Sequence, residues 1–208
     1  MNPPLTAEEQ RVLGALIEKD MATPDYYPMS LNALMNACNQ KNNREPLTSY
    51  DEAVISQTLE RLRARHLATV LSGGEHRVPK HGHRAWETLD VNHRELAVLC
   101  VLMLRGAQTV NELKTRTERL YAFEDLETVE GCLVKLAGRG MVIQIPKQAG
   151  MREPRWMHLL AGPVDVNAPV AEPAVRSDSL ADRVSRLEGE VEGLKAMVED
   201  LRRELGLP

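Results

Sequence analysis

The sequence predicts a mainly α chain with small β-hairpins, an α+β fold in which two like modules stand in tandem ahead of a C-terminal helix. Three observations predict it. The same order of capping and apolar signals occurs twice, with Val12 and Val98, 86 residues apart, at matching places. Aromatics make up 3% of the 208 residues against 43% hydrophobic overall, so the core falls to Leu, Val, Ile, Met and Ala, which pack helix on helix. Beyond residue 179, apolar residues recur at alternating steps of four and three.

The first repeat opens on Thr6-Ala7-Glu8-Glu9, a capping box, followed by the apolar stripe Val12, Leu13, Leu16 and Ile17. Asn92 and Glu95 have the same cap spacing in the second repeat, ahead of Val98, Leu99, Leu102 and Met103. A short second helix begins at Ser30, with Leu31, Leu34, Met35 and Cys38 at helical spacing, and its counterpart begins at Thr109 with Val110 and Leu113. Third helices carry Ile55, Leu59 and Leu62 into Leu67, and Val129, Leu133 and Leu136 into Met141. Each runs into a β-branched stretch, Ala68 to Leu71 or Val142 to Ile145. A Gly-containing turn follows, at Ser72-Gly73-Gly74 or Lys147 to Gly150, and then a second short strand at His76 to Val78 or Arg155 to Leu159.

Three helices closed by a hairpin is the winged-helix order, a variant of helix-turn-helix. Residues 1–89 and 90–162 are therefore expected to be two tandem winged-helix domains, each closing a small core of its own. Residues 163–179, with Pro163, Pro169 and Pro173 among Ala, Val and Gly, read as a linker. Residues 180–206 read as a coiled coil with Val184, Val191 and Val198 at a positions and Leu180, Leu187, Leu194 and Leu201 at d, Leu205 continuing the seam. β-Branched a with Leu d favours a parallel two-stranded coil, hence a homodimer, and Arg183 with Glu188, and Glu190 with Lys195, face each other across it. The alternative is a single amphipathic helix lying back on its own globular part. Gly189 and Gly193 each cost about 1 kcal/mol of helix propensity, so the coil alone pairs weakly.

The net charge of −4 resides in the tail: residues 161–208 hold 6 Lys/Arg against 10 Asp/Glu, and residues 1–160 hold 20 of each. Nucleic-acid binding must then come from a local basic patch. No basic stretch precedes an apolar h-region, and no apolar run approaches the roughly 20 residues of a membrane span, so a cytoplasmic location without membrane contact is expected. Cys38, Cys100 and Cys132 lie far apart in apolar periodic segments, as reduced core thiols do.

The best nucleic-acid candidate is the third helix of the first module. Opposite its apolar stripe stand Gln57, Glu60 and Arg61, flanked by Ser56 and Arg63, and residues 61–84 hold six Lys/Arg against one acid. Arg61, Arg63, Arg77, Lys80 and Arg84, with Arg65, can meet phosphates while Gln57 reaches base edges. The polar stretch from Asn39 to Pro46, with Lys41, Asn43 and Arg44, is longer than a helix-turn-helix turn and joins the candidate set. The competing reading is a solvated helix and charged wing, as in winged helices that dock only proteins.

In the second module Glu124, Asp125, Glu127 and Glu130 crowd the start of the third helix, which repels phosphate and points to a protein partner or to stabilisation of the helix dipole. Lys147, Arg152 and Arg155 leave its wing mildly basic. His76, His81 and His83 have no recognised ligand spacing with Cys or carboxylate, so no metal is expected. With no phosphate-binding Gly loop, triad spacing or dinucleotide fingerprint, neither a cofactor nor an enzyme is expected.

The stretch Tyr27-Pro28-Met29-Ser30-Leu31-Asn32-Ala33-Leu34, continued by Ala37 through Pro46, resembles the hallmark of the bacterial YceH family, and the likeness runs from residue 5 to about 160, including Arg94-Glu95-Leu96. That resemblance implies tandem winged helices and brings no catalytic residues; the linker and heptads lie outside it. Two functions follow as expectations. One is a DNA-binding or transcription-regulator-like homodimer using its first module. The other is a protein-binding scaffold, similar to the tandem winged-helix subunits of chromosome-condensing complexes.

Overall fold

Local capping chemistry sets the helix starts. In the computed structural model, which describes residues 3–73, 76–147 and 151–166, the Thr6 hydroxyl accepts from the Glu9 amide at 3.3 Å while Glu9 accepts from the Thr6 amide at 2.9 Å. This reciprocal pair starts α1 (Ala7–Ala22). A single 3₁₀ turn (Pro24–Tyr26), α2 (Leu31–Cys38), α3 (Glu52–Ala64) and the hairpin β1 (Ala68–Gly73) and β2 (His76–His83) complete the first half. A short helix that the sequence does not announce, α4 (Ala85–Leu89), leads to α5 (His93–Arg105), α6 (Val110–Thr117), α7 (Leu126–Gly138), β3 (Val142–Ile145) and β4 (Arg155–His158). The caps recur: Asn92 with Glu95 starts α5 and Thr109 with Glu112 starts α6 through the same two-way bonds. The described residues thus form an α+β structure of seven α-helices and two small antiparallel sheets.

The two halves match in detail. Each third helix ends with a residue in the left-handed region, His66 at φ 58° and Gly140 at φ 68°. The next amide returns to the helix, Leu67 to the Leu62 carbonyl and Met141 to that of Leu136, both at 2.9 Å, which closes the last turn and aims the chain into the first strand. The hairpins pair in register from Ala68 opposite His83 and from Val142 opposite His158. Each accepts one more backbone partner on its second strand, Met29 opposite His81 and Gln108 opposite Trp156, at the residue just before the cap of the second helix.

Burial joins the halves. On α1 every residue from Arg11 to Ile17 is buried, and on α5 every residue from Glu95 to Leu104, far more than a stripe facing one side. The surplus faces meet: the Cys100 thiol lies 3.4 Å from the Gly14 carbonyl oxygen, and the two positions are matched in the repeat, 86 residues apart. A Cβ on Gly14 would lie 2.9 Å from Cγ and Cδ2 of Leu104, so glycine is what permits this approach. The expectation that each half closes its own core is therefore corrected. Buried residues of both halves form one continuous cluster, because α1 and α5 are apolar on two sides, and residues 1–170 make one compact unit.

All three cysteines are free and buried within this cluster, and burial pushes the Cys38 thiol up to about 12 and Cys132 to about 11. On β4, His158 is fully buried, with neither ring nitrogen hydrogen-bonded among the described residues, and burial pulls its pKa down to about 4. No described helix is long and apolar enough to cross a membrane. The heptads of residues 180–206, and residues 167–179 of the linker, lie outside the described residues.

Gly14→Val should lower the unfolding free energy by about 1–3 kcal/mol through overpacking, measured from the denaturant midpoint. An unchanged midpoint would mean that α1 and α5 part at no cost.

Candidate nucleic-acid interface

Asp51 caps α3 by accepting the Val54 amide at 2.9 Å, and Ile55, Thr58, Leu59 and Leu62 then point inward. The opposite face leaves Gln57, Glu60 and Arg63 exposed and Ser56 half-buried. Two arginines near the end of α3 face α1. Arg65 donates to Glu9 at 2.8 Å and to the carbonyls of Pro3 and Pro4. Arg61, 44% exposed in its side chain, donates to the Thr58 hydroxyl at 2.8 Å and stands 3.8 Å from Glu9. Part of the positive charge counted for this surface is thus balanced by Glu9.

Arg63 with Glu60, Ala64, Ala68, Thr69 and Val70 borders a shallow depression of about 430 Å³ between α3 and β1. Lys80, half-exposed, sits opposite Leu71 on β2, and Arg84 is exposed just past it. The side chain of Arg77 lies outside the described residues. Burial, aided by nearby Arg63, holds His81 below the usual histidine range.

His83 is a structural residue. Its Nδ1 accepts the Ala85 amide at 3.1 Å, leaving the hydrogen on Nε2, which lies 3.1 Å from Asp20 Oδ2. Its own amide donates to the Tyr27 hydroxyl at 2.5 Å, and rings continue from Tyr27 through His83 and Trp86 to His93 at centroid spacings of 6.0, 5.9 and 4.2 Å. Among the described residues, no group of three His, Cys, Asp or Glu is placed to hold a metal.

The loop after α2 is pinned to the core. Asn39 clasps Tyr50 through two bonds, donating to its carbonyl at 2.7 Å and accepting its amide at 2.8 Å. Buried Arg11 donates to the carbonyls of Cys38 and Pro46 and to the Thr48 hydroxyl. Arg44, expected at phosphate, is only 4% exposed. Its guanidinium holds Glu18 at 2.7 and 3.1 Å and donates to the carbonyls of Ala37 and Asn43, so it leaves the candidate set. Burial works to raise the Glu18 carboxyl, yet the bonds and charge of Arg44 outweigh it and hold the group below its usual value.

Asn43, in the left-handed region at φ 62°, accepts from Arg105 through Oδ1. Lys41 and Asn43 are exposed, but they line a cleft with α1, α5 and α6 to which neither α3 nor the first hairpin contributes. The sequence-derived set therefore divides. Ser56, Gln57, Arg61, Arg63, Lys80 and Arg84 belong to α3 and its hairpin, while Lys41 and Asn43 belong elsewhere. No local signal separates them, since buried Arg44 and exposed Lys41 stand in the same polar run.

In the second half Asp125 is the cap of α7, accepting both the amide and the hydroxyl of Thr128 at 2.7 Å, and Glu124, Glu127 and Glu130 are exposed. Arg155, expected to make this wing basic, instead donates to Glu112 at 2.7 Å and to the Ala107 carbonyl.

Comparison of the sequence places it. The family model described as "Protein of unknown function, DUF480" matches residues 5–151. The chain belongs to the DUF480 family. Relatives carry the name UPF0502 protein: one from Solibacter usitatus is 54% identical over 201 residues, covering 96% of this chain and 97% of that protein. Another from Opitutus terrae is 46% identical over 93% of this chain and 84% of that protein, and one from Aeromonas hydrophila is 45% identical over 95% and 94%. An alignment of 201 residues in a chain of 208 takes in most of the C-terminal heptads, so the likeness extends past the family motif.

Arg44→Ala leaves Glu18 without its buried partner and should cost about 3 kcal/mol of stability, with faster amide exchange across residues 39–46. Lys41→Ala, three residues earlier in the same loop but exposed, should stay within about 0.5 kcal/mol; equal losses would refute the assignment of Arg44 as the anchor.

Proposed function

We propose that this chain is a non-enzymatic DNA-binding protein of the transcription-regulator kind, built from tandem winged helices, whose first half meets duplex DNA through α3 and its hairpin. The observation that carries this reading is the placing of Arg63 in the depression between α3 and β1. Ser56 and Gln57 lie on the same solvent side of the helix, and Lys80 and Arg84 on the strand side. A helix offering amide and hydroxyl groups, flanked by cations at a hairpin, combines base-edge readout with phosphate anchoring. Arg61 contributes less than its charge suggests, being shared with Glu9. We read the YceH resemblance and the DUF480 match as one grouping. The proposed protein acts in the cytoplasm as a homodimer joined through residues 180–206.

A second reading, a scaffold that binds another protein, is favoured by α7. Leu126 and Val134 are 40% and 64% exposed, two turns apart on one side of the helix with Glu130 between them. Apolar side chains held in water beside carboxylates suit a protein partner better than phosphate.

Salt titration of duplex binding distinguishes the two. Affinity carried by phosphate falls with salt by a log-log slope of about 0.9 per phosphate engaged, and Arg63→Ala with Lys80→Ala should reduce that slope by about 2. An unaltered slope would remove this surface from the interface. Deleting residues 176–208 should convert dimer to monomer in sedimentation velocity; a truncated chain that stays dimeric would place self-association in the globular part.

A further inference from the structure

The cleft that receives Lys41 and Asn43 has a chemistry of its own. It encloses about 380 Å³, and five cations reach it from separate parts of the chain: Lys19 from α1, Lys41 from the loop, Arg105 from α5, and Arg116 and Arg119 from α6 and the turn after it. Glu18 is the lone carboxylate among its lining residues, and that group is already engaged by Arg44 behind the wall, with Lys19 at 3.5 Å. Arg116 shares Glu112 with Arg155, at 3.4 and 2.7 Å. Counting these partners, seven cations share two carboxylates, within a globular part that carries 20 charges of each sign. Lys41 and Arg119 are exposed, with no carboxylate partner among the described residues.

Such crowding is held in place by structure. Arg105 is tied to Asn43, whose left-handed backbone and carbonyl are in turn fixed by Arg44, so loop and helix present their cations together. Burial first, then the neighbouring Arg116, pulls Arg105 down to about 10, although Glu18 and Glu112 act the other way. The floor differs from the rim: Val101, Leu104 and Leu120 give it an apolar surface. Its volume lies in the range of small-molecule sites, and a concavity of that size has no room for a duplex about 20 Å across.

We propose that the cleft binds a small phosphorylated ligand of the nucleotide class, its phosphates among Lys41, Arg105, Arg116 and Arg119 and its planar or apolar part on the floor. Multiple arginines and a lysine suit a polyphosphate, to which guanidinium groups donate in pairs. Because the walls come from both halves of the chain, one bound molecule would contact both. The site is separate from the proposed DNA surface and does not depend on it.

The test is calorimetric titration of the full chain with ATP, inorganic pyrophosphate and adenosine in magnesium-free buffer. ATP should bind one per chain and more tightly than pyrophosphate, and adenosine should give no heat. Lys41→Glu with Arg119→Glu should weaken ATP at least 30-fold with an unchanged circular dichroism spectrum, while Arg63→Ala with Lys80→Ala should leave ATP affinity as it was. No heat from ATP at millimolar concentration, undiminished binding by the charge-reversed variant, or displacement of ATP by duplex DNA would each overturn the proposal. The first two outcomes leave the DNA reading standing.

Discussion

The close passage of α1 over α5 is the constraint on which the rest of the structure depends. Gly14 and Cys100 meet where a side chain on the glycine would strike Leu104, and this contact merges two three-helix halves into one core. From that fixed axis α1 anchors its own half by three carboxylates along its length. Glu9 near its start holds Arg65 and Arg61 of α3, Glu18 holds Arg44 of the loop, and Asp20 meets His83 of the hairpin. The orientation of α3 and of the strands beside it is thus set by one helix whose apolar side is committed to the other half.

Guanidinium groups do two kinds of work here, and burial decides which. Arg11 and Arg44 are enclosed and hold carbonyl oxygens that no helix or strand satisfies, turning a long polar connection into part of the core wall. Arg63 and Arg119 stand in water with their charge available. Total charge hides this division. A neutral globular part contains a depression bordered by Arg63 on one element pair and a strongly cationic cleft on another.

What was legible in the sequence was local. Capping pairs three residues apart, stripes at helical spacing and β-branched runs after each third helix all rest on short-range geometry, and Thr6, Asn92 and Thr109 cap where they were expected. Partners at long range were not legible. The stripe Val12, Leu13, Leu16 and Ile17 reads the same whether α1 covers one neighbour or two; the available hint was Gly14 in mid-helix, which costs about 1 kcal/mol against alanine unless packing requires it. Arg44 was misplaced for a related reason, since a charged residue in a polar run shows nothing of the Glu18 awaiting it 26 residues earlier. The backbone bridges from Met29 and Gln108 to the hairpins carry no side-chain signature at all.

Enclosure of His158 ties folding to proton uptake. An unfolded chain takes up a proton on this imidazole near pH 6.5, whereas the folded one resists down to about 4, so between those values acid draws the equilibrium toward the open chain. Above that interval the residue is neutral in both states, so from neutral pH upward its enclosure carries no proton-linked penalty.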